Sequence, residues 1–384
     1  MNQKFTFTLI AVCIIYLSQS NALLAVSTES YLLNGPLENS VLPVDTPKKK
    51  PAPAPAAAPA ALITFPLSAK NKLSLSGYTQ ARYVYNLLDG VKTNTFDVRR
   101  ARVDLRGNIG AKWAYRTQID FAPTTRVLDA TVSYTANPYL RVTAGQQKIA
   151  FSLENIVSSP LMESINRSQV VEAMVSRSTD VISQSGGNNN GRDIGVQVSG
   201  GIPIAVDSTS KRNVFEYYLG VYNGNGINKG DNNVDKDFAG RFLVMPIKGL
   251  QIGGSFYKGQ GSYGTDIALE KKRDRFGGEV YYYTKRFSFK AEYIAGTDDT
   301  ISKGGYYAQL AAFALPDKLQ FLVKYDSYDA NTDKDDNIST IYTIGLNYMP
   351  TSWAKLQLAY DIKKEQADEQ TKNDQLQVML QLGF

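Results

Sequence analysis

From residue 72 onward, apolar and polar residues alternate along the chain with a period of two. Trp113, Tyr115, Ile119 and Phe121 share one parity against Arg116, Gln118 and Asp120. Leu319, Phe321, Val323 and Tyr325 oppose Gln320, Lys324 and Asp326, and Leu356, Leu358, Tyr360 and Ile362 oppose Lys355, Gln357, Asp361 and Lys363. Leu376, Val378, Leu380, Leu382 and Phe384 then stand against Gln375, Gln377, Met379, Gln381 and Gly383. A period of two is the signature of a strand with one apolar and one polar face. Counting such segments from a first strand near 72–85 gives about sixteen, in one meander without intervening helices. That predicts an all-β protein, a transmembrane antiparallel β-barrel whose apolar parity faces lipid and whose polar parity faces a water-filled lumen.

The connections carry a second alternation. Short ones at residues 110–111, 137–138, 245–249, 284–286 and 315–318 interleave with longer polar ones at 223–236, 258–272, 296–304 and 329–337. Short turns mark the periplasmic rim of outer-membrane barrels and long loops the outer rim. An even strand number then puts both termini in the periplasm. Two connections depart from the rule, a short one at 121–126 and a long one at 200–212. The longest break is residues 149–190. Breaks of that length in compact folds are functional or disordered. This one is read as a third loop folded inward to narrow the lumen, with Glu154, Glu163, Arg167, Glu172 and Arg177 as its charges; the competing reading is an extracellular cap.

Composition narrows the compartment and the chemistry. Residues 1–22 read as a secretory signal: Lys4, an apolar run over 5–17, then Ser20-Asn21-Ala22. The only cysteine, Cys13, lies inside it. Residues 23–70 read as a disordered Pro/Ala-rich periplasmic tail; Lys48, Lys49 and Lys50 open its densest stretch and suit an anionic envelope partner such as peptidoglycan. The barrel domain is 71–384. The chain has no histidine, so a Ser-His-Asp triad and His-ligated zinc are excluded. No enzyme activity, cofactor or metal is expected. The net charge of +6 does not point to nucleic acid, because the basic residues are strung along strands and mixed with acids.

A strand ending on Phe384 resembles the closing strand of a bacterial outer-membrane barrel. Residues 96–107 (FDVRRARVDLRG) resemble the opening signature of the phosphate-selective porin O and P family. Further stretches follow in order: 128–134 (LDATVSY), 140–154 (LRVTAGQQKIAFSLE), 162–167 (MESINR), 191–200 (GRDIGVQVSG) and 219–226 (LGVYNGNG). The resemblance covers residues 71–384 and implies a sixteen-stranded outer-membrane porin, a homotrimer, with its third loop in the pore.

By parity the lumen face carries about twelve basic residues against nine acidic ones. Channel selectivity follows side-chain charge at the narrow part. Arg100, Arg102, Arg106, Arg116 and Arg141 lie on neighbouring strands and are the candidate anion-binding residues, with Asp104 placed to neutralise part of the row. The expected function is passive diffusion of small hydrophilic solutes with a weak preference for anions, phosphate among them. The alternatives are a plugged barrel with a structural or partner-binding role in the envelope, and a barrel enzyme using paired carboxylates.

Overall fold

A computed structural model describes residues 63–68, 71–88, 91–175, 190–206, 211–263, 266–366 and 372–384. The signal segment, the tail up to residue 62 and Arg177 lie outside them. The strands are β1 (Ile63–Ser68), β2 (Asn71–Leu88), β3 (Val91–Ile109), β4 (Trp113–Asp120), β5 (Arg126–Asn137) and β6 (Leu140–Lys148). After the long connection come β7 (Arg192–Ala205), β8 (Lys211–Tyr222), β9 (Asp237–Val244), β10 (Leu250–Tyr263), β11 (Asp266–Tyr283) and β12 (Phe287–Asp298). β13 (Ile301–Leu315), β14 (Leu319–Asp329), β15 (Ile338–Thr351), β16 (Ala354–Glu365) and β17 (Asn373–Gly383) complete the set. From β2 to β17 each strand pairs antiparallel with the next, and β17 pairs with β2 from Asn373↔Leu88 to Gly383↔Tyr78. The sheet therefore closes into a sixteen-stranded barrel.

Burial is inverted relative to a water-soluble protein. Arg100, Arg102, Asp104, Gln118, Lys290 and Gln357 are buried, whereas Phe96, Trp113, Phe276 and Phe321 are exposed. On β15 the exposed fraction is 58% at Ile344 and 8% at its neighbour Thr343. Such a surface is stable only against lipid, with hydrogen-bonded polar residues turned inward. Cross-strand aromatic pairs line the outside, among them Trp113–Tyr134 at 4.9 Å and Tyr325–Tyr342 at 5.2 Å between centroids.

Three features depart from the sequence reading. Residues 258–272 and 296–304 read as long loops, yet sheet pairing runs through them, as at Gln260↔Lys272 and Thr297↔Ser302. Beyond the lipid belt a strand no longer needs an apolar parity, so the alternation fades while backbone pairing persists. The 200–212 turn shrinks similarly, because β7 continues to Ala205 and β8 begins at Lys211. Finally, β1 lies inside the segment read as tail. It pairs with β2 from Ile63↔Leu75 to Ser68↔Asn71. A six-residue strand containing Pro66 gives little alternation to read, and proline is tolerated at such an edge.

Candidate functional site

Residues 149–175 of the β6–β7 connection bond to side chains of the barrel strands. Its neck is closed by Ile149 N–H donating to Gly191 O at 3.0 Å, and by Asn155 Nδ2 donating to both Ile149 O and Gly191 O. A short helix α1 (Leu153–Ile156) follows, capped by Ser152 Oγ accepting from Asn155 N–H. The amides of Leu153 and Glu154 donate to the Glu292 carboxylate on β12. This satisfies donors that a helix start leaves open. Helix α2 (Gln169–Met174) is capped by Ser168, and its Gln169 amide donates to Asp326 on β14 at 2.8 Å.

Between the helices, Glu163 accepts from Ser288 on β12, from Gln309 on β13 at 2.6 Å and from Gln320 on β14 at 3.2 Å. Lys355 Nζ donates to Pro160 O and Met162 O, and Asn347 and Gln357 donate to Glu163 O. Apolar packing reinforces these bonds. Phe151, Val170, Val171 and Met174 cluster with Ile294, Tyr307, Tyr222 and Tyr257, and Ile165 packs with Ala359 and Met379. Gly305 makes room for α2, since a Cβ there would sit 2.9 Å from Val170 Cβ. Full burial of a valine contributes about 1.5–3 kcal/mol.

Glu154 shows how the segment's charges are used. Burial alone would push its carboxyl up. Lys324 and Lys290, each 3.6 Å from Oε1, together with the Ser168 amide and Arg167, outweigh burial and hold it below the ordinary glutamate range. Glu154 and Glu163 thus fasten the segment to β12–β14. Arg167 turns back onto its own segment, donating to Glu154 O and Val157 O at 2.8 Å. Glu172 lines open space.

Two cavities, each lined in part by the segment, lie along the wall from β2 to β9. The loop-side cavity, about 480 Å³, is reached past Pro123 and Thr124. Six cations line it (Arg82, Arg99, Arg100, Arg102, Arg126 and Arg167) against two acids, Asp120 and Glu172. The turn-side cavity, about 330 Å³, is lined by Arg106, Arg116, Arg141, Lys148, Arg192 and Asp129 among others. The five candidate arginines therefore do not meet at one point. Arg100 and Arg102 face the first cavity, and Arg102, Arg106, Arg116 and Arg141 face the second.

Ion pairs order both walls. Arg102 Nε lies 2.8 Å from Asp120, and Arg82 pairs with Asp97. Arg106 and Arg116 each lie 2.7 Å from Asp104, and Arg116 and Arg192 share Asp129. Arg100 Nη1 donates to Gln80 and Arg99 Nη1 to Asn166 of the connection. Arg99 was missed as a lumen residue because strict alternation puts it on the lipid face. The β2–β3 register slips between Gln80↔Arg100 and Ala81↔Val98, making Arg99 the extra residue of a bulge. The sequence holds that signal: Phe96 and Val98 have even parity and Ala101 and Val103 odd, so the phase must break at 99–100.

The barrel is similar to solved outer-membrane channels. OmpF of Salmonella typhi, solved with daunomycin, superposes with TM-score 0.56 at 11% identity, covering 82% of this chain and 98% of that one. OmpT of Vibrio cholerae in a trimer form gives TM-score 0.53 at 13% identity, with 82% and 100% covered. The channel DcaP of Acinetobacter baumannii gives 0.53 at 10%, with 83% and 99% covered. These identities speak for the fold alone. No curated protein sequence matches the chain significantly. The family model for phosphate-selective porin O and P matches residues 76–384, the whole barrel from early β2 to the last residue. The chain is thus an outer-membrane porin of the phosphate-selective porin O and P family.

Proposed function

We propose that this porin passes small hydrophilic solutes by passive diffusion, with a weak preference for anions, and that the β6–β7 connection is its constriction. The observation that carries the sign of the preference is the loop-side cavity, where six guanidinium groups stand against two carboxylates. Rings of one charge at a narrow part favour counter-ions of the other. The phosphate in the family's name is a narrower claim. Tight oxyanion recognition needs several guanidinium groups converging on one point. Here the five candidate arginines divide between two cavities, which supports general anion preference over a dedicated phosphate site.

The porin acts as a homotrimer in this reading, as the trimer form of the OmpT relative does. The rim of short turns, with both termini, faces the periplasm, where the segment 23–62 meets an anionic envelope partner. The reversal potential of the refolded protein in a KCl gradient tests the preference. Wild type should show mild anion preference without block by low phosphate. Arg99→Glu with Arg100→Glu should move the reversal potential toward cations, and an unchanged value would refute the assignment. A barrel plugged by its connection is the second reading, motivated by the contacts of that segment with β3 on one side and β13 on the other; it predicts no conductance steps.

A further inference from the structure

Among the described residues, Arg102 is the one side chain that lines both cavities. Its two polar contacts are unequal. Nε is 2.8 Å from Asp120 Oδ2, a buried ion pair whose carboxylate also accepts from the amides of Ala101 and Ala122. Nη1 is 3.4 Å from Ser159 Oγ on the fastened connection. Ser159 opens a single turn through Pro160 and Leu161, and Lys355 on β16 holds the Pro160 carbonyl. The acceptor side is therefore fixed. The guanidinium is held on its own side by the Asp120 pair and by the Tyr78 ring, 5.9 Å from its Cζ, so Ser159 is its weak contact.

We propose that the Arg102 guanidinium, resting on Ser159, is a partition between the loop-side and turn-side cavities, and that permeating anions open it. The chemistry is directional. A neutral hydroxyl at 3.4 Å is a weak acceptor, and an anion arriving among Arg82, Arg99 and Arg100 offers a charge-assisted bond in its place. The guanidinium swings about its Asp120 anchor, carries the anion past Ser159 and releases it toward Arg106 and Arg116, whose carboxylate partners limit how tightly they hold it. A cation supplies no acceptor and finds the contact closed. Selectivity would then reside in one contact as well as in the overall charge of the wall. The inference rests on the channel reading above.

The test is single-channel recording on the refolded full chain in KCl, comparing wild type with Arg102→Gln and Ser159→Ala. Loss of the partition should raise conductance roughly two-fold in Arg102→Gln and bring its anion-to-cation permeability ratio close to unity. Ser159→Ala keeps the Asp120 pair and the wall charge. It should raise conductance as well and admit more cation, with part of the anion preference retained. Wild-type conductance and preference in both variants would overturn the proposal. If Arg102→Gln fails to fold with Asp120 left unpaired, Ser159→Ala decides alone. Steps in the variants but none in wild type would establish the partition while refuting an open porin; silence in all three would refute both.

Discussion

Two adjacent arginines cannot both face the lumen of a regular strand, and Arg99 and Arg100 do so only because β3 carries one residue more than β2 opposite them. The bulge keeps Phe96 and Val98 on the lipid side while adding a cation to the loop-side cavity. Deleting Arg99 would restore strict alternation, with Phe96, Val98, Ala101 and Val103 on the lipid face and Arg100 and Arg102 on the lumen face, because Arg99 is the one residue without a partner in the β2–β3 register. The deletion variant should therefore keep the heat-resistant folded band in gel electrophoresis while its anion preference weakens, as in Arg99→Gln; loss of the folded band in the deletion variant alone would show that the bulge itself is required for the fold. Glu163 makes the complementary case. Glu163→Ala leaves the amides of Gln309 and Gln320 without the acceptor they share. Leaving a buried donor unsatisfied costs about 1–3 kcal/mol. The expected readouts are a lower thermal midpoint and added flicker in single-channel current as the segment loosens.

The element that the sequence only half disclosed is the β6–β7 connection. Its length stood out. Its docking site was also written in the chain, but as exceptions to the pattern. Ile294, Ala311, Leu322, Ala359 and Met379 are apolar residues on the lumen parity, and all are buried. Ile294 packs with Val170, Val171 and Met174, and Ala359 and Met379 with Ile165. An apolar residue on the wet face of a barrel strand needs a cover, so these breaks in alternation could have placed the segment before its hydrogen bonds were known. The roles of Glu154 and Glu163 were not legible, because their partners Lys290, Lys324, Ser288 and Gln309 lie more than a hundred residues away.

Val170→Asp places a carboxylate where no surface is exposed, with Gly305 directly behind it. Burying an unpaired charge is strongly unfavourable, so α2 should leave the wall, conductance should rise, and added protease should cut within the connection. Unaltered conductance would mean that the segment does not set the aperture. Acid should act in the same direction. The Glu154 carboxyl is held below its ordinary range, so its contribution is complete above the unfolded-state value and is lost as pH falls through the folded-state value. Conductance noise should therefore grow on acidification in wild type but not in Glu154→Gln.

For the whole molecule, the arrangement of strands was the most legible level, because one requirement repeats sixteen times: each strand shows apolar residues to lipid and hydrogen-bonding residues to water. What faded was everything outside the belt, where β10, β11, β12 and β13 run on without a lipid face. The same requirement gives the sharpest stability comparison. Ile344 and Thr343 are neighbours near the middle of β15, one 58% exposed on the outer wall and the other buried on the inner. Arginine at a lipid-facing midplane position costs about 2–4 kcal/mol, falling toward zero near the interfaces. Ile344→Arg should therefore lower the folding free energy in lipid vesicles by about that amount. Thr343→Arg enters a polar wall beside Asp361, which already accepts the Thr343 hydroxyl at 2.6 Å, and should cost less while shifting ion preference further toward anions. Reversal of that order in a urea titration of the two refolded variants would mean that the apolar face is covered by something other than lipid at this position. A trimer contact centred on β15 would produce that result, so the comparison also reports which wall the subunits share.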